Sequence, residues 1–418
     1  MNLNPQIARR IIETVGGYGT PPEYGFQFFT AGLDEYLNII HQEYLKTYIK
    51  EEGGAAVKIV IGAYGGGKTH FLYCIRELSW QENFAISYVS LSPEETPFHR
   101  LESVYRSIIN NLTYPLSSAE LLKGMEKGIE PFLTTWYERQ IDTFREAGID
   151  EGQLEKEIEQ YLYSIERSIE NINFSKAVTN AFWALHHEKE EEFRQILQWL
   201  KLEGYDREMH KKFGILVPID RSNAFSMIRS LVQWVKSIGY SGLIILFDEV
   251  EQISSLSTRQ RELVLSNLRE LIDACVHTSF RHVMIFYALP DERFFEGPSH
   301  VYEALRQRIS SVFDFFNPSG VKIKLEKIKD DPIGLLEDIG NKLRHIYETA
   351  YGIRFDNEIN NMIGLIAQEA YERRFGDIGY MRLFVQAVIK GFHLIRHNPK
   401  IASDAESVYK MLSGPEEM

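Results

Sequence analysis

The segment GAYGGGKT at residues 62–69 constrains this chain more than any other feature. It sits between two runs of different periodicity. VKIVI at 57–61 is short and rich in β-branched residues, as suits a strand buried on both faces of a parallel sheet. After the glycines, Phe71, Leu72, Ile75 and Leu78 recur at helical spacing, which predicts a helix over 68–79. Strand, glycine-rich turn and helix in that order is the setting in which G-x-x-x-x-G-K-[ST] cradles a triphosphate. From Gly62 through Ala63, Tyr64, Gly65, Gly66 and Gly67, the chain can turn its amides toward phosphate oxygens where larger side chains would obstruct them. Lys68 supplies a point charge for the β- and γ-phosphates, and Thr69 a hydroxyl for Mg²⁺. The helix dipole adds to the attraction, and His70 in its first turn completes the candidate binding segment. The ligand this chemistry calls for is ATP with Mg²⁺.

A second segment completes the constellation. GLIILF at 242–247 is the most apolar strand candidate in the chain, and it delivers Asp248 and Glu249 at its C-terminal end. Ligands bind at that end of a parallel sheet. Asp248 is the candidate metal ligand beside Thr69, and Glu249 the general base that polarises the attacking water. The expected geometry is a nucleotide gripped where these two strands end side by side. The motifs lie about 180 residues apart, a gap that the intervening helical sequence accounts for.

Alternation of strands and helices predicts an α/β fold, a three-layer sandwich around a parallel sheet. Residues 1–55 read as an N-terminal helical segment, with helices near 5–15 and 32–50 around the loop GGYGTPPEYG. The nucleotide-binding core is expected over 56–115 and 215–330. Further strands are placed at 84–91, 283–289 and 321–325, a helix at 98–112, and a helix opening at Ser222. STRQ at 257–260 has the form of a capping box. Between the two parts of the core, 116–214 is charged and helically periodic throughout, an all-helical insertion whose charge runs are solvated faces. From 331 to 418 the chain is helical again and predicts a separate lid domain, with periodic stretches near 333–350, 356–373, 378–395 and 401–412.

A net charge of −13 argues against a simple nucleic-acid coat or a membrane-surface protein, though an oligomeric ring can still line a pore with a few basic residues. No apolar run has the length of roughly 18 residues that a membrane helix requires, and the amphipathic start MNLNPQIARRIIETV predicts no secretory signal. Cys74 and Cys275 are expected as buried, unpaired side chains of a cytoplasmic protein. His186 and His187 fall in the charged insertion as surface residues, and no metal-binding Cys/His cluster is expected.

An acid pair at a strand end following a P-loop resembles the AAA+ ATPases. That resemblance gives roles to three arginines. Arg306 and Arg308, in ALRQRI, stand where AAA+ proteins carry an arginine finger that reaches the γ-phosphate of the neighbouring subunit, with Arg308 preferred. Arg382, in RRFGDIGYMRLFV, matches a second sensor arginine at the start of a lid helix, with Asp377 expected as that helix's cap. One departure stands out. AAA+ proteins often end the fourth strand on Asn or Thr, whereas FYALPDERFF has Ala288 and Leu289 there, leaving Tyr287 or Asp291 to substitute, or the sensor missing.

Four segments together, ARRIIETVGGYGTPPEYGFQFFTAG, IGAYGGGKTHFL, GYSGLIILFDEVE and ALPDERFFEG with ALRQRI, resemble the BrxD-like ATP-binding proteins of BREX-type phage-defence operons. These in turn are similar to AAA+ ATPases of the origin-recognition and initiator clade. The resemblance spans most of the chain except 116–214. It implies a bacterial or archaeal cytoplasmic ATPase, working as a homo-oligomeric ring or filament beside a helicase or nuclease partner. Whether DNA is bound stays open, and sequence-specific contacts to it are not expected. Two functions compete: an ATPase that remodels or loads a DNA-processing partner, and a nucleotide-gated interaction module with slow or no hydrolysis that recruits one. A signalling ATPase that detects a phage product is a third.

Overall fold

The structure is a computed structural model describing residues 3–92, 94–117, 120–121, 124, 126–248, 256–277, 279–296, 300–327, 331–374 and 379–398. Six strands form one sheet: β1 (Ala55–Ile61), β2 (Ala85–Ser90), β3 (Leu112–Thr113), β4 (Leu243–Asp248), β5 (Val283–Leu289) and β6 (Lys322–Lys324). Their order is β3-β2-β4-β5-β1-β6. All pairings are parallel except β2 with β3, a short edge strand that the sequence patterning misses. The order also corrects an expectation. β1 and β4 are not neighbours, because β5 lies between them and pairs Val283 with both Ala55 and Leu243.

The sheet is buried on both sides, which explains its unbroken apolar strands. Val57, Ile59, Ile61, Ile245, Phe247, Ile285 and Tyr287 face one core; Val60, Ile244, Leu246, Met284, Phe286 and Ala288 face the other. That is the period of two a strand imposes. Lys58 interrupts this pattern at 1% exposure. Its Nζ donates to the Tyr44 hydroxyl at 2.8 Å, the Pro318 carbonyl at 3.0 Å and the Gly320 carbonyl at 2.6 Å. Burial pushes its pKa down to about 7.

Helix α1 (Pro5–Tyr18) begins with the Asn4 side chain accepting from the Ile7 N–H at 2.9 Å and ends at Gly19 in the left-handed region. Helix α2 (Asp34–Ile39) runs on as a π-helix over Ile40–Glu51 and covers the second face of the sheet with α3 (Lys68–Gln81). The first face packs against α4 (Leu101–Asn110) and a helical stretch between β3 and β4. This stretch comprises α5 (Ile129–Glu146), α6 (Glu151–Ser168), α7 (Ile172–His186), α8 (Glu190–Leu200), α9 (Arg207–Lys211) and α10 (Ala224–Ser237). Phe132, tilted against Trp234, and Trp136, edge-on to it, join α5 to α10, so these helices share the core of the sheet. The first turn of α10 follows Asn223 rather than Ser222, whose hydroxyl instead bonds Asp220 at 2.6 Å.

Helix α11 (Thr258–Val276) opens with the capping box read from STRQ: Ser257 and Gln260 cap each other's backbone. Helix α12 (His300–Arg308) follows β5. Helices α13 (Pro332–Tyr351), α14 (Glu358–Glu372) and α15 (Tyr380–His397) form a third core. Ile7, Ile11, Ile12 and Val15 of α1 belong to that same core. The helix expected at 401–412 lies outside the described residues, as does Asp377. Among the described residues, no helix is long and apolar enough to cross a membrane. Cys74 and Cys275 are free and buried.

Candidate functional site

The P-loop forms where β1 ends and α3 begins. Gly67 precedes the helix with φ 89°, a conformation L side chains rarely adopt, and Gly66 turns back to bond the Ala63 carbonyl at 2.9 Å. Lys68 is the first residue of the helix and is only 6% exposed. Its Nζ donates to the carbonyls of Gly62 at 3.0 Å and Ala63 at 3.2 Å. Among the described residues no carboxylate pairs with it. Burying an ammonium held only by carbonyls is costly, a cost that an anion beside it would offset.

Asp248 reaches the same place across β5. It is 2% exposed, and its Oδ2 accepts from the Thr69 hydroxyl at 2.7 Å. The two motifs therefore meet although their strands are not adjacent: the first turn of α3 bridges the gap. The Tyr88 hydroxyl donates to the same Oδ2 at 2.5 Å. Burial first, and the Asp248 charge second, push the Tyr88 pKa well up, so it stays a donor. Sequence patterning gives no role to Tyr88. The only signal was an aromatic with a hydroxyl at the C-terminal end of a parallel strand, where ligands collect.

These groups open onto a cavity of about 680 Å³. Gly65, Gly66, Gly67, Lys68, Thr69, Tyr88 and Asp248 line one side. Pro21 and Phe29 near the N-terminus, with Leu335, Ile339, Met381 and Val385 from the C-terminal helices, give it apolar lining, while Glu23, Glu95 and Lys127 add charge. Apolar lining together with a buried lysine and glycine-rich loop suits a ligand that combines a flat base with a polyphosphate. With Thr69 and Asp248 offering oxygens side by side, the site fits a nucleotide with a hard divalent cation.

Arg382 stands at this cavity. Its guanidinium lies 4.6 Å from the centre of the Tyr64 ring, and Nη1 donates to the Tyr64 hydroxyl at 2.8 Å. Its Nε is buried without a hydrogen-bond partner. The start of α15 touches the loop directly: a Cβ on Gly379 would lie 1.8 Å from the Tyr64 carbonyl oxygen.

The other candidates take separate places. The His70 ring bonds the Thr30 hydroxyl at 2.7 Å between Phe26 and Phe29, and burial pushes its pKa down to about 4. His70 lines the same cavity, and its hydrogen bond to Thr30 ties α3 to the N-terminal loops. Arg308 is not at the cavity of its own chain; it chelates Asp273 of α11, with Nη2 donating to Oδ2 at 3.0 Å. Arg306 is exposed on the same helix. Tyr287 is buried against Phe98 and Phe247 with its hydroxyl unpartnered, and Asp291 pairs with Arg293 at 2.7 Å. Neither is among the residues lining the cavity. Glu249 lies outside the described residues.

Residues 3–411 match the family described as BREX system ATP-binding protein BrxC/D. No curated protein and no solved structure matches the chain. A match over nearly the whole length, on a chain whose two motifs meet at one cavity, allows a plain conclusion: this chain belongs to the BREX system ATP-binding protein BrxC/D family.

Proposed function

We propose that this chain binds Mg-ATP between its P-loop and Asp248 and hydrolyses it as an AAA+ ATPase of the initiator-like kind. The observation that carries the proposal is buried Lys68, held only by loop carbonyls, at the mouth of a cavity that also holds the Thr69–Asp248 pair. In this account Lys68 and the amides of Gly62 to Thr69 hold the phosphates. Thr69 and Asp248 hold Mg²⁺, which neutralises charge developing on the phosphates. Glu249, next in sequence to Asp248, takes the proton of the attacking water.

The arginines would act with assembly. Arg382 would exchange Tyr64 for a phosphate oxygen and so couple the C-terminal helices, acting as a lid, to the nucleotide. Arg308, assisted by Arg306, would leave Asp273 and reach the site of a neighbouring subunit in a ring or filament. Such an assembly would remodel or load a helicase or nuclease in anti-phage defence, with DNA contacted through its backbone. A second reading, a nucleotide-gated recruiter with slow turnover, draws support from the absence of Tyr287 and Asp291 from the cavity.

Steady-state phosphate release, with and without duplex DNA, tests these readings. Glu249→Gln is expected to keep ATP binding and lose turnover by about 100-fold or more. Arg308→Ala is expected to lose turnover without losing ATP, and to regain part of it when mixed with Lys68→Ala protein. Normal turnover in Glu249→Gln would remove Glu249 as the base, and the absence of any rescue would argue against an arginine acting between subunits.

A further inference from the structure

Away from the nucleotide cavity, the start of α6 and the end of α7 bring together Glu155, His186 and His187, whose ligand atoms all lie within 4.8 Å of one another. The sequence hides this group, because Glu155 and His187 are 32 residues apart and lie on different helices. We propose that these three side chains form a surface zinc site, two imidazoles and one carboxylate with water completing the coordination, which clips α6 to α7.

The ring geometry carries the inference. His187 Nδ1 lies 3.0 Å from the Trp183 carbonyl oxygen. A carbonyl only accepts, so Nδ1 bears the hydrogen, and in the neutral ring Nε2 presents its lone pair. That Nε2 stands 3.4 Å from Glu155 Oε1. Two acceptors at that distance repel unless a cation or a proton stands between them. Fixing the outer nitrogen on a backbone carbonyl is also how proteins orient a metal-binding histidine. His186 Nδ1 lies 3.5 Å from the Tyr137 hydroxyl, which leaves its Nε2 as the ligand atom. Trp183 holds both rings in place, stacked on His187 at 5.2 Å and edge-on to His186 at 5.8 Å. Glu155 is 72% exposed and free to close on the ion. Two imidazoles with a carboxylate suit Zn²⁺, whose ligands sit about 2.0–2.2 Å from the metal.

The probe is Zn²⁺ alone, titrated into the full chain at about pH 7.5 in competition with a chromophoric chelator. The wild-type chain is expected to take up one tight equivalent. His187→Ala, His186→Ala and Glu155→Gln are each expected to weaken it by about 10-fold or more. Zn²⁺ should also raise the melting temperature of the wild type and not of His187→Ala. Glu155→Gln guards against misfolding, since it changes one exposed atom. Uptake that is equal in wild type and variants would overturn the proposal. So would the absence of tight uptake by the wild type, which would leave Glu155 and His187 as an ion pair only.

Discussion

Asp248 Oδ2 takes two hydroxyl donors, and one of them comes from Tyr88. Its hydroxyl shares Asp248 Oδ2 with Thr69, and were Thr69 to turn to Mg²⁺ as proposed, Tyr88 would stay as a donor orienting this oxygen. A hydrogen bond to a charged group contributes about 1.5–3 kcal/mol. Tyr88→Phe removes only that bond and is expected to raise the Mg²⁺ concentration needed for tight ATP binding by about 10-fold. A Mg²⁺ titration of a fluorescent ATP analogue reads this out, and an unchanged midpoint would assign Tyr88 to packing alone. Lys58 is the other residue the strand pattern passed over. Its folded pKa, about 7, lies below its ordinary value of 10.5. Between those values the unfolded chain binds a proton that the folded chain does not, so its contribution to stability rises with pH across that window. Urea unfolding is expected to show wild type gaining on Lys58→Met between about pH 7 and 9, by on the order of 2 kcal/mol. A parallel pH dependence of the two would contradict it. Lys68, Thr69 and Asp248 were legible because a phosphate cradle demands fixed residue types at fixed spacing. Tyr88 and Lys58 were not, because each acts through partners far away in sequence.

Elements with strong local signals came out of the sequence nearly whole. VMIFYAL is β5 residue for residue, and the Ser257 capping box opens α11. β3 was illegible: two residues paired antiparallel at a sheet edge carry too little periodicity to announce themselves. The position of α1 was equally hidden. Its apolar face reads clearly, but only the structure shows that the face is buried on α13 and α15 rather than on the sheet. This packing gives the cavity its wall, since α1 leads into the Thr20–Pro21 loop while α15 carries Arg382. The contact of α15 with the P-loop depends on Gly379. Its backbone, at φ −58° and ψ 131°, is open to any residue, so a substitution there acts through contact alone. Gly379→Ala places a methyl group on the Tyr64 carbonyl and is expected to weaken ATP binding by about 10-fold through separation of α15 from the loop. Gly17→Ala, facing open space, is the control expected to leave affinity unchanged. Equal affinities would mean that the contact between α15 and the loop does not matter for the nucleotide.

At the scale of the molecule, the sheet order explains why the motifs can lie about 180 residues apart and still form one site. The helices α5 to α10 join the core of the first sheet face and leave the C-terminal strand ends open to α1, α13 and α15. The α/β class and the P-loop were legible because apolar period and glycine spacing are local. The separation of β1 from β4 by β5 was not, since strand order is set by long-range pairing that no local pattern records. All of the proposed chemistry requires that a nucleotide with its magnesium occupy the cavity beside Lys68. Isothermal calorimetry of Mg-ATP against the full chain tests this most directly. The expected result is saturable binding of one nucleotide per chain by the wild type, lost in folded Lys68→Ala and weakened when Mg²⁺ is withdrawn. Binding heat that is absent in the folded wild type, or unchanged in Lys68→Ala, would contradict it.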